Sequence, residues 1–143
     1  GVTLLHEQQG KDGVLLEIDR DRITRVIENL VNNSRDAIVQ SENPEDGKVW
    51  IRTSAGEDRV VIRVADNGPG IPDEAKEGLF QPFTTAGKAN GTGLGLAIVR
   101  NLVTAHNGTI AVDTSPTEGG AAFEIVLPCT MSVSEQRAPA TAN

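Results

Sequence analysis

Cysteine, basic charge and long apolar runs are all scarce in this chain, and each scarcity removes a class of answer. The 143 residues hold a single cysteine, Cys129. No intramolecular disulfide and no thiolate metal cluster can form, and a reducing cytosolic compartment fits. No apolar stretch reaches the roughly 18 residues of a membrane span. Gly1 to Gly10 has neither the basic start nor the apolar core of a secretion signal. The expectation is a soluble, cytoplasmic piece with no direct membrane contact, within a parent chain that is free to carry a membrane anchor. The 13 basic residues against 20 acidic ones leave a formal charge of −7, which opposes a nucleic-acid backbone or an anionic lipid surface as the main partner. An anionic ligand therefore needs local help from a metal ion, backbone amides or a helix N-terminus. The length suits one core, and no internal repeat divides it.

Val2 to Gln8 and Val14 to Ile18 read as two short strands around the turn-forming Gln9 to Gly13, with the apolar content of a sheet edge. From Asp21 onward Ile23, Val26, Ile27, Leu30, Val31, Ser34, Ala37 and Ile38 recur at helical spacing. Asp19 or Asp21 serves as N-cap, and the helix ends near Gln40. Val49 to Ser54 and Arg59 to Ala65 alternate apolar and polar residues about Ala55-Gly56-Glu57-Asp58, the pattern of an antiparallel hairpin with one buried face. Asp66 to Gly95 is rich in glycine and proline and reads as loop, with a short helix at Asp73 to Gly78. A loop of that length inside a small domain is usually functional. Leu94 to Ala105 resumes helical periodicity, then Thr109 to Thr114 and Ala121 to Leu127 read as closing strands. Residues 1–128 form the expected domain, and 129–143 the expected disordered tail or linker.

Three segments carry chemistry. On the first helix Asn29, Asn33 and Asp36 fall within about 60° of one another, beside the apolar arc. Amide oxygens of this kind are hard neutral ligands for a hydrated cation whose charged ligands come from elsewhere, although helical asparagines are also simply solvated. Next, Val64-Ala65-Asp66-Asn67-Gly68-Pro69-Gly70-Ile71-Pro72 ends an apolar strand with a carboxylate and a glycine-rich turn. Such a carboxylate can accept from an amine at the mouth of a core, or can merely close its own turn. Finally, Gly91-Thr92-Gly93-Leu94-Gly95-Leu96 runs into a helix start, where free N–H groups and the helix dipole favour phosphate. Before it lie Leu79-Phe80-Gln81-Pro82-Phe83-Thr84-Thr85 and a segment containing Lys88, with the composition of a mobile lid. Phe80 and Phe83 suit hydrophobic anchors, and Lys88 is either a phosphate contact or a solvated loop lysine.

Together and in this order, these segments resemble the N, G1, F and G2 boxes of the histidine kinase catalytic domain, within the wider group of ATPases that includes gyrase, Hsp90-like chaperones and MutL-like proteins. The resemblance spans Leu4 to Pro128. It implies an α+β fold, a two-layer α/β sandwich in which helices cover one face of a mixed, mostly antiparallel sheet, with a flexible ATP lid. It also implies ATP and Mg²⁺ as ligands, with Asn33 on the metal, Asn29 supporting metal and phosphates, and Asp66 reading adenine. The implied nucleotide-binding set is Asn29, Asn33 and Asp36; Asp66, Gly68, Gly70 and Ile71; Phe83, Thr84, Thr85 and Lys88; and Gly91, Thr92, Gly93, Leu94, Gly95 and Leu96. Asn33, Asn29 and Glu28 are the candidate catalytic residues. The implied partners are a dimerisation and histidine phosphoacceptor domain of the same parent and, downstream, a response regulator receiver domain. The fragment alone is expected to be a monomer.

Two departures from the family pattern bear on mechanism. Asp36-Ala37 replaces the basic and aromatic pair of many histidine kinases, weakening the case for a phosphate contact there; this form is similar to the nitrogen-regulation-type subset. The hydrolysing relatives carry a glutamate one turn before the metal asparagine, where this chain has Asn29. Glu28 lies about 100° round the helix from it. Transfer to a held acceptor is therefore expected rather than rapid hydrolysis. His6 and His106 sit outside any phosphoacceptor motif and suit surface or helix-end contacts. An anti-sigma-type serine kinase, a nucleotide-binding pseudokinase scaffold and a topoisomerase or mismatch-repair fragment are the competing readings. The acidic charge and Asn29 weigh against the last.

Overall fold

The computed structural model describes residues 2–10, 14–15, 17–82 and 95–131. Strand β1 (Thr3–Gly10) and the short β2 (Val14–Leu15) precede helix α1 (Arg20–Val39). A 3-10 turn over Pro44–Asp46 leads into β3 (Lys48–Ala55) and β4 (Arg59–Asp66). After a second 3-10 turn at Asp73–Ala75 come α2 (Gly95–Ala105), β5 (Thr109–Asp113), β6 (Ala122–Pro128) and β7 (Thr130–Met131).

The main sheet has five strands in the order β1-β3-β4-β6-β5. Only β1 and β3 run parallel, and every other neighbouring pair in this sheet is antiparallel. Period-two burial divides its faces: Val60, Ile62 and Val64 of β4 and Phe123, Ile125 and Leu127 of β6 are buried, whereas Arg63 and Glu124 lie on the opposite face. Both helices pack on the first face and on each other. That makes the two-layer, mixed and mostly antiparallel sandwich that the resemblance implies.

Helix α1 forms because its apolar residues fall on one stripe: Ile23, Val26, Leu30 and Ile38 are all buried. Asp19 caps its start, accepting from the Arg22 N–H at 3.2 Å. At the far end the Gln40 N–H still reaches the Asp36 carbonyl, while the Ser41 hydroxyl and amide both turn back to the Ile38 carbonyl. Helix α2 ends where Asn107 takes φ +61°, after which the Gly108 N–H returns to the Val103 carbonyl at 3.0 Å. Large side chains such as Leu30, Ile38 and Phe123 are essentially inaccessible in the core between the layers, and each contributes roughly 1.5–3 kcal/mol by burial.

Three expectations need correction. Of the two opening strands read as a sheet edge, only β1 is the edge of the main sheet, beside β3, whereas β2 pairs with β7 in a separate two-stranded ribbon. Thr130 and Met131, in the stretch read as tail, supply that partner strand. The short helix at Asp73 is one 3-10 turn ending at Ala75, just after Pro72, which has no N–H to donate.

Candidate functional site

Strand β4 ends on an aspartate that the core would reject if it were unpartnered. Asp66 is 3% exposed. Its Oδ1 accepts from the Gly68 N–H at 3.0 Å and from the Ala121 N–H at 3.2 Å. Its main chain is tied to the same place, since its N–H donates to the Ala121 carbonyl and its carbonyl accepts from the Gly120 N–H, both at 2.9 Å. Among the described residues nothing donates to Oδ2. The carboxylate is thus fixed by one oxygen, which leaves the other as an acceptor for something outside the chain.

Only glycine fits at position 120. A Cβ there would lie 2.1 Å from Asp66 Oδ1 and 2.6 Å from the Gly68 nitrogen. The loop before β6 therefore presses its backbone directly against the carboxylate.

Next to Asp66 a cleft of about 1030 Å³ opens between the end of α1 and the turn after β4. Ala37, Ile38 and Ser41 form one wall, Gly68, Gly70 and Ile71 a second, and Gly119 and Gly120 a third. Gly70 takes φ +81°, and a Cβ there would meet the Gly120 carbonyl oxygen at 3.2 Å, so the second and third walls meet through bare backbone. The size is that of a ligand pocket; polar Gln40, Glu42, Asn43, Asp46 and Thr114 also line it, and Asp66 adjoins it through its contacts with Gly68 and Gly120.

Asn67 fixes one side of the cleft. Its Oδ1 accepts from the Lys48 N–H at 2.7 Å and its Nδ2 donates to the Asp46 carbonyl at 2.9 Å. These bonds hold the Pro44–Asp46 turn against the turn that follows Asp66.

Gly68, Gly70 and Ile71 are brought together as the sequence suggests, beside Asp66. Asn29, Asn33 and Asp36 are half-buried on α1 but do not line this cleft. Asn29, Asn33 and Ala37 are spaced four apart, so the asparagines stand one and two turns along the helix from the wall that Ala37 forms. Asp36 lies 3.7 Å from Arg35, and Glu28 is exposed. Gly95 and Leu96 open α2. Phe83, Thr84, Thr85, Lys88, Gly91, Thr92, Gly93 and Leu94 lie outside the described residues. Among the described residues no group of three or more His, Cys, Asp or Glu is placed to hold a metal ion.

Neither histidine lines the cleft. His6 is exposed on β1. His106 makes a helix-end contact: Nε2 accepts from the Asp19 N–H at 2.9 Å, and Nδ1 lies 2.8 Å from the Leu102 carbonyl, to which it donates in the matching neutral tautomer. It joins the end of α2 to the cap of α1.

Sequence reasoning missed Gly120, Ala121 and Asn67. The paired Gly119-Gly120 ahead of an alternating strand was the available signal for the first, because glycine at such a place marks a tight bend or a close backbone approach. Ser34 lies on the buried stripe of α1 as its spacing suggests, and its hydroxyl has no partner among the described residues.

The described architecture is that of known proteins. The catalytic domain of the histidine kinase ThkA, in a nucleotide-free form, superposes with a TM-score of 0.75 at 35% identity, over 90% of this chain and 81% of that one. ThkA in complex with the response regulator protein TrrA matches with a TM-score of 0.69 at 33% identity, over 95% of this chain and 36% of that one. In sequence the chain is 40% identical over 116 residues to the C4-dicarboxylate transport sensor protein DctB of Rhizobium meliloti (strain 1021), covering 81% of this chain and 18% of DctB. It is 36% identical over 121 residues to the sensory histidine kinase/phosphatase NtrB of Vibrio alginolyticus, covering 78% of this chain and 33% of NtrB. The chain thus spans a third or less of these two sensor proteins. Residues 18–131 match the family described as histidine kinase-, DNA gyrase B-, and HSP90-like ATPase. With Asp66 in its amide cradle, the glycine-walled cleft and the asparagine row of α1 all within that span, the chain belongs to this ATPase family, as a catalytic domain of the histidine kinase type.

Proposed function

We propose that this domain binds Mg-ATP in the cleft beside Asp66 and supplies the γ-phosphoryl group to a histidine on a separate dimerisation and phosphoacceptor domain of its parent protein, on the cytosolic side. The observation that carries the reading is the half-satisfied carboxylate: Oδ1 of Asp66 is held by two backbone N–H groups, leaving Oδ2 to accept from the exocyclic amine of adenine. Guanine, with a carbonyl at that position, would present an acceptor to an acceptor. Gly68 and Gly70 let the base lie on backbone, and Ile71 and Ile38 offer it apolar contact.

The donor set suits a magnesium ion that arrives with its nucleotide. Asn33 is the residue to hold it, through a neutral amide oxygen, with Asn29 beside it one turn away. Such an ion, when bound, neutralises charge on the β- and γ-phosphates. The α2 start at Gly95 and Leu96 offers backbone N–H groups and the helix dipole to anionic oxygens, and Gly91 to Leu94 and Phe83 to Lys88 are assigned to the phosphates and the lid on their sequence alone. The chain's own contribution is then orientation: an imidazole nitrogen of the partner domain attacks the γ-phosphorus in line, the bond to the bridging oxygen breaks, and ADP leaves. Asn29, where a water-activating carboxylate would have to stand, and the exposure of Glu28 favour transfer over hydrolysis. A receiver domain of a response regulator is the downstream acceptor, a reading supported by the solved pairing of ThkA with TrrA.

Calorimetric titration with a nonhydrolysable ATP analogue, with and without Mg²⁺, tests this. Wild type should bind, Asp66→Asn should lose binding, and Asn33→Ala should lose the metal-dependent part. Absence of binding by the wild type at millimolar analogue would refute the proposal. Rapid steady-state phosphate release that vanishes in Asn33→Ala would refute the preference for transfer.

A further inference from the structure

The face of the sheet turned away from the helices carries a charge network that no part of the nucleotide reading uses. Glu118, in the loop between β5 and β6, has a side chain only 4% exposed. Its two oxygens are taken by two arginines: Arg52 of β3 donates to one, and Arg63 of β4 donates to the other at 3.2 Å. Arg52 is held in turn by Glu7 of β1 at 2.6 Å and lies over the Trp50 ring, 5.8 Å from its centroid. Arg63 has Asp113 and Glu124 each 3.8 Å away. A surface ion pair contributes little, but a carboxylate taken this far out of water persists only because both its oxygens are matched.

The position of Glu118 in the chain gives this clamp its consequence. Gly119 follows at φ +104°, reversing the backbone, and Gly120 and Ala121 come next. Those two residues supply three of the four hydrogen bonds that hold Asp66: the Gly120 N–H to its carbonyl, the Ala121 carbonyl to its N–H, and the Ala121 N–H to Oδ1. The same loop supplies Gly119 and Gly120 to the cleft wall. One end of a four-residue span is therefore pinned on the open face of the sheet, and the other end cradles the carboxylate at the cleft.

We infer that Glu118 is a positioning residue for nucleotide selectivity: clamped by Arg52 and Arg63, it holds the Gly120–Ala121 amides in register with Asp66, so that Oδ2 meets an adenine amine. This rests on the nucleotide-binding reading above and adds a specificity determinant to it on the opposite face of the sheet. With the clamp released, the loop is tethered at Glu118 only by its own turn, Asp66 is free to reorient, and discrimination between adenine and guanine weakens.

The test compares binding of nonhydrolysable ATP and GTP analogues to the wild type, Glu118→Ala, Glu118→Gln and Glu7→Gln, each in the full chain. Glu118→Ala should bind the ATP analogue roughly ten-fold more weakly, the effect of losing one hydrogen bond to a charged acceptor, and its preference for ATP over GTP should fall with it. Glu118→Gln, which keeps the shape and one oxygen acceptor, should recover most of both. Glu7→Gln removes an exposed arm of the same network without freeing the loop and should change neither. If Glu118→Ala is poorly folded, Glu118→Asp, one methylene too short to meet both arginines, carries the test: faster amide exchange at Gly120 and Ala121 than in wild type with a reduced ATP preference supports the inference, and unchanged exchange and preference overturn it. Unchanged ATP affinity and preference in Glu118→Ala, or equal loss of both analogues, overturns the inference while leaving nucleotide binding intact. No binding of either analogue by the wild type overturns the nucleotide reading and this inference together.

Discussion

Replacing Gly120 by alanine adds one methyl group at the point where the β5–β6 loop meets Asp66. The added carbon would sit 2.1 Å from Asp66 Oδ1, 2.6 Å from the Gly68 nitrogen and 2.7 Å from the Asp66 carbonyl oxygen. Ordinary contact is about 3.4 Å or more, so something must move by more than about 1 Å. Rotating the carboxylate away relieves only the first clash, because the other two atoms are main chain. Relief requires the loop to lift, and lifting breaks the Gly120 and Ala121 hydrogen bonds to Asp66. One hydrogen bond to a charged acceptor is worth about 1.5–3 kcal/mol, which corresponds to roughly 10- to 150-fold in an equilibrium constant. Calorimetry with an ATP analogue should therefore show binding weakened by at least about ten-fold, and thermal unfolding should shift down by several degrees while the transition stays cooperative. Binding within about three-fold of wild type, about 0.6 kcal/mol, would mean that the cradle is not what orients Asp66.

Ser34→Ala should stabilise the domain by about 1 kcal/mol, because it removes a buried hydroxyl that has no partner among the described residues and substitutes the best helix former; an unchanged or lower midpoint in urea would contradict this. Asn67→Ala should cost about 1 kcal/mol in the same assay, since two exposed but well-aligned bonds to Lys48 and Asp46 are lost, and loss of stability with no effect on ATP affinity would limit Asn67 to a purely structural role. Acid sensitivity should report on Glu118. Burial alone pushes its carboxyl up and is the largest single influence, but its backbone hydrogen bond and those from Arg52 and Arg63 together hold it below the usual carboxylate range. A depressed folded value means that this stabilisation is complete above the ordinary pKa and is lost as pH falls through the depressed one. The stability difference between wild type and Glu118→Gln should therefore shrink on acidification through that window; a difference independent of pH would show that the charge is not what matters.

The long helix, the β3–β4 hairpin and the Asp66 turn were legible because each depends on residues close together in the chain. Ile23, Val26 and Leu30 recur within a single helix, and Val60, Ile62 and Val64 alternate within a single strand. The glycines and the aspartate after β4 occupy one continuous segment. The pairing of β1 with β3 in parallel, and of Val14–Leu15 with Thr130–Met131, could not be read in this way. Two-residue strands carry no periodicity, and their partners are more than a hundred residues apart. Asn67 looked like part of a turn, and its contacts with Lys48 and Asp46 belong to a different connection.

Local pattern in the sequence was enough to determine the buried stripe of α1 and the buried face of β4, which segments would be helix, and that a carboxylate beside a glycine turn was a candidate for recognition; it did not single out Val99 and Val103, which α2 buries. Tertiary structure alone decided how that carboxylate is held. Gly120 and Ala121 reach Asp66 at sequence separations of 54 and 55, and Glu118 meets Arg52 at a separation of 66. Hydrogen-bond geometry and the exclusion of a side chain at Gly120 depend on distances between strands, which exist only after the sheet has assembled.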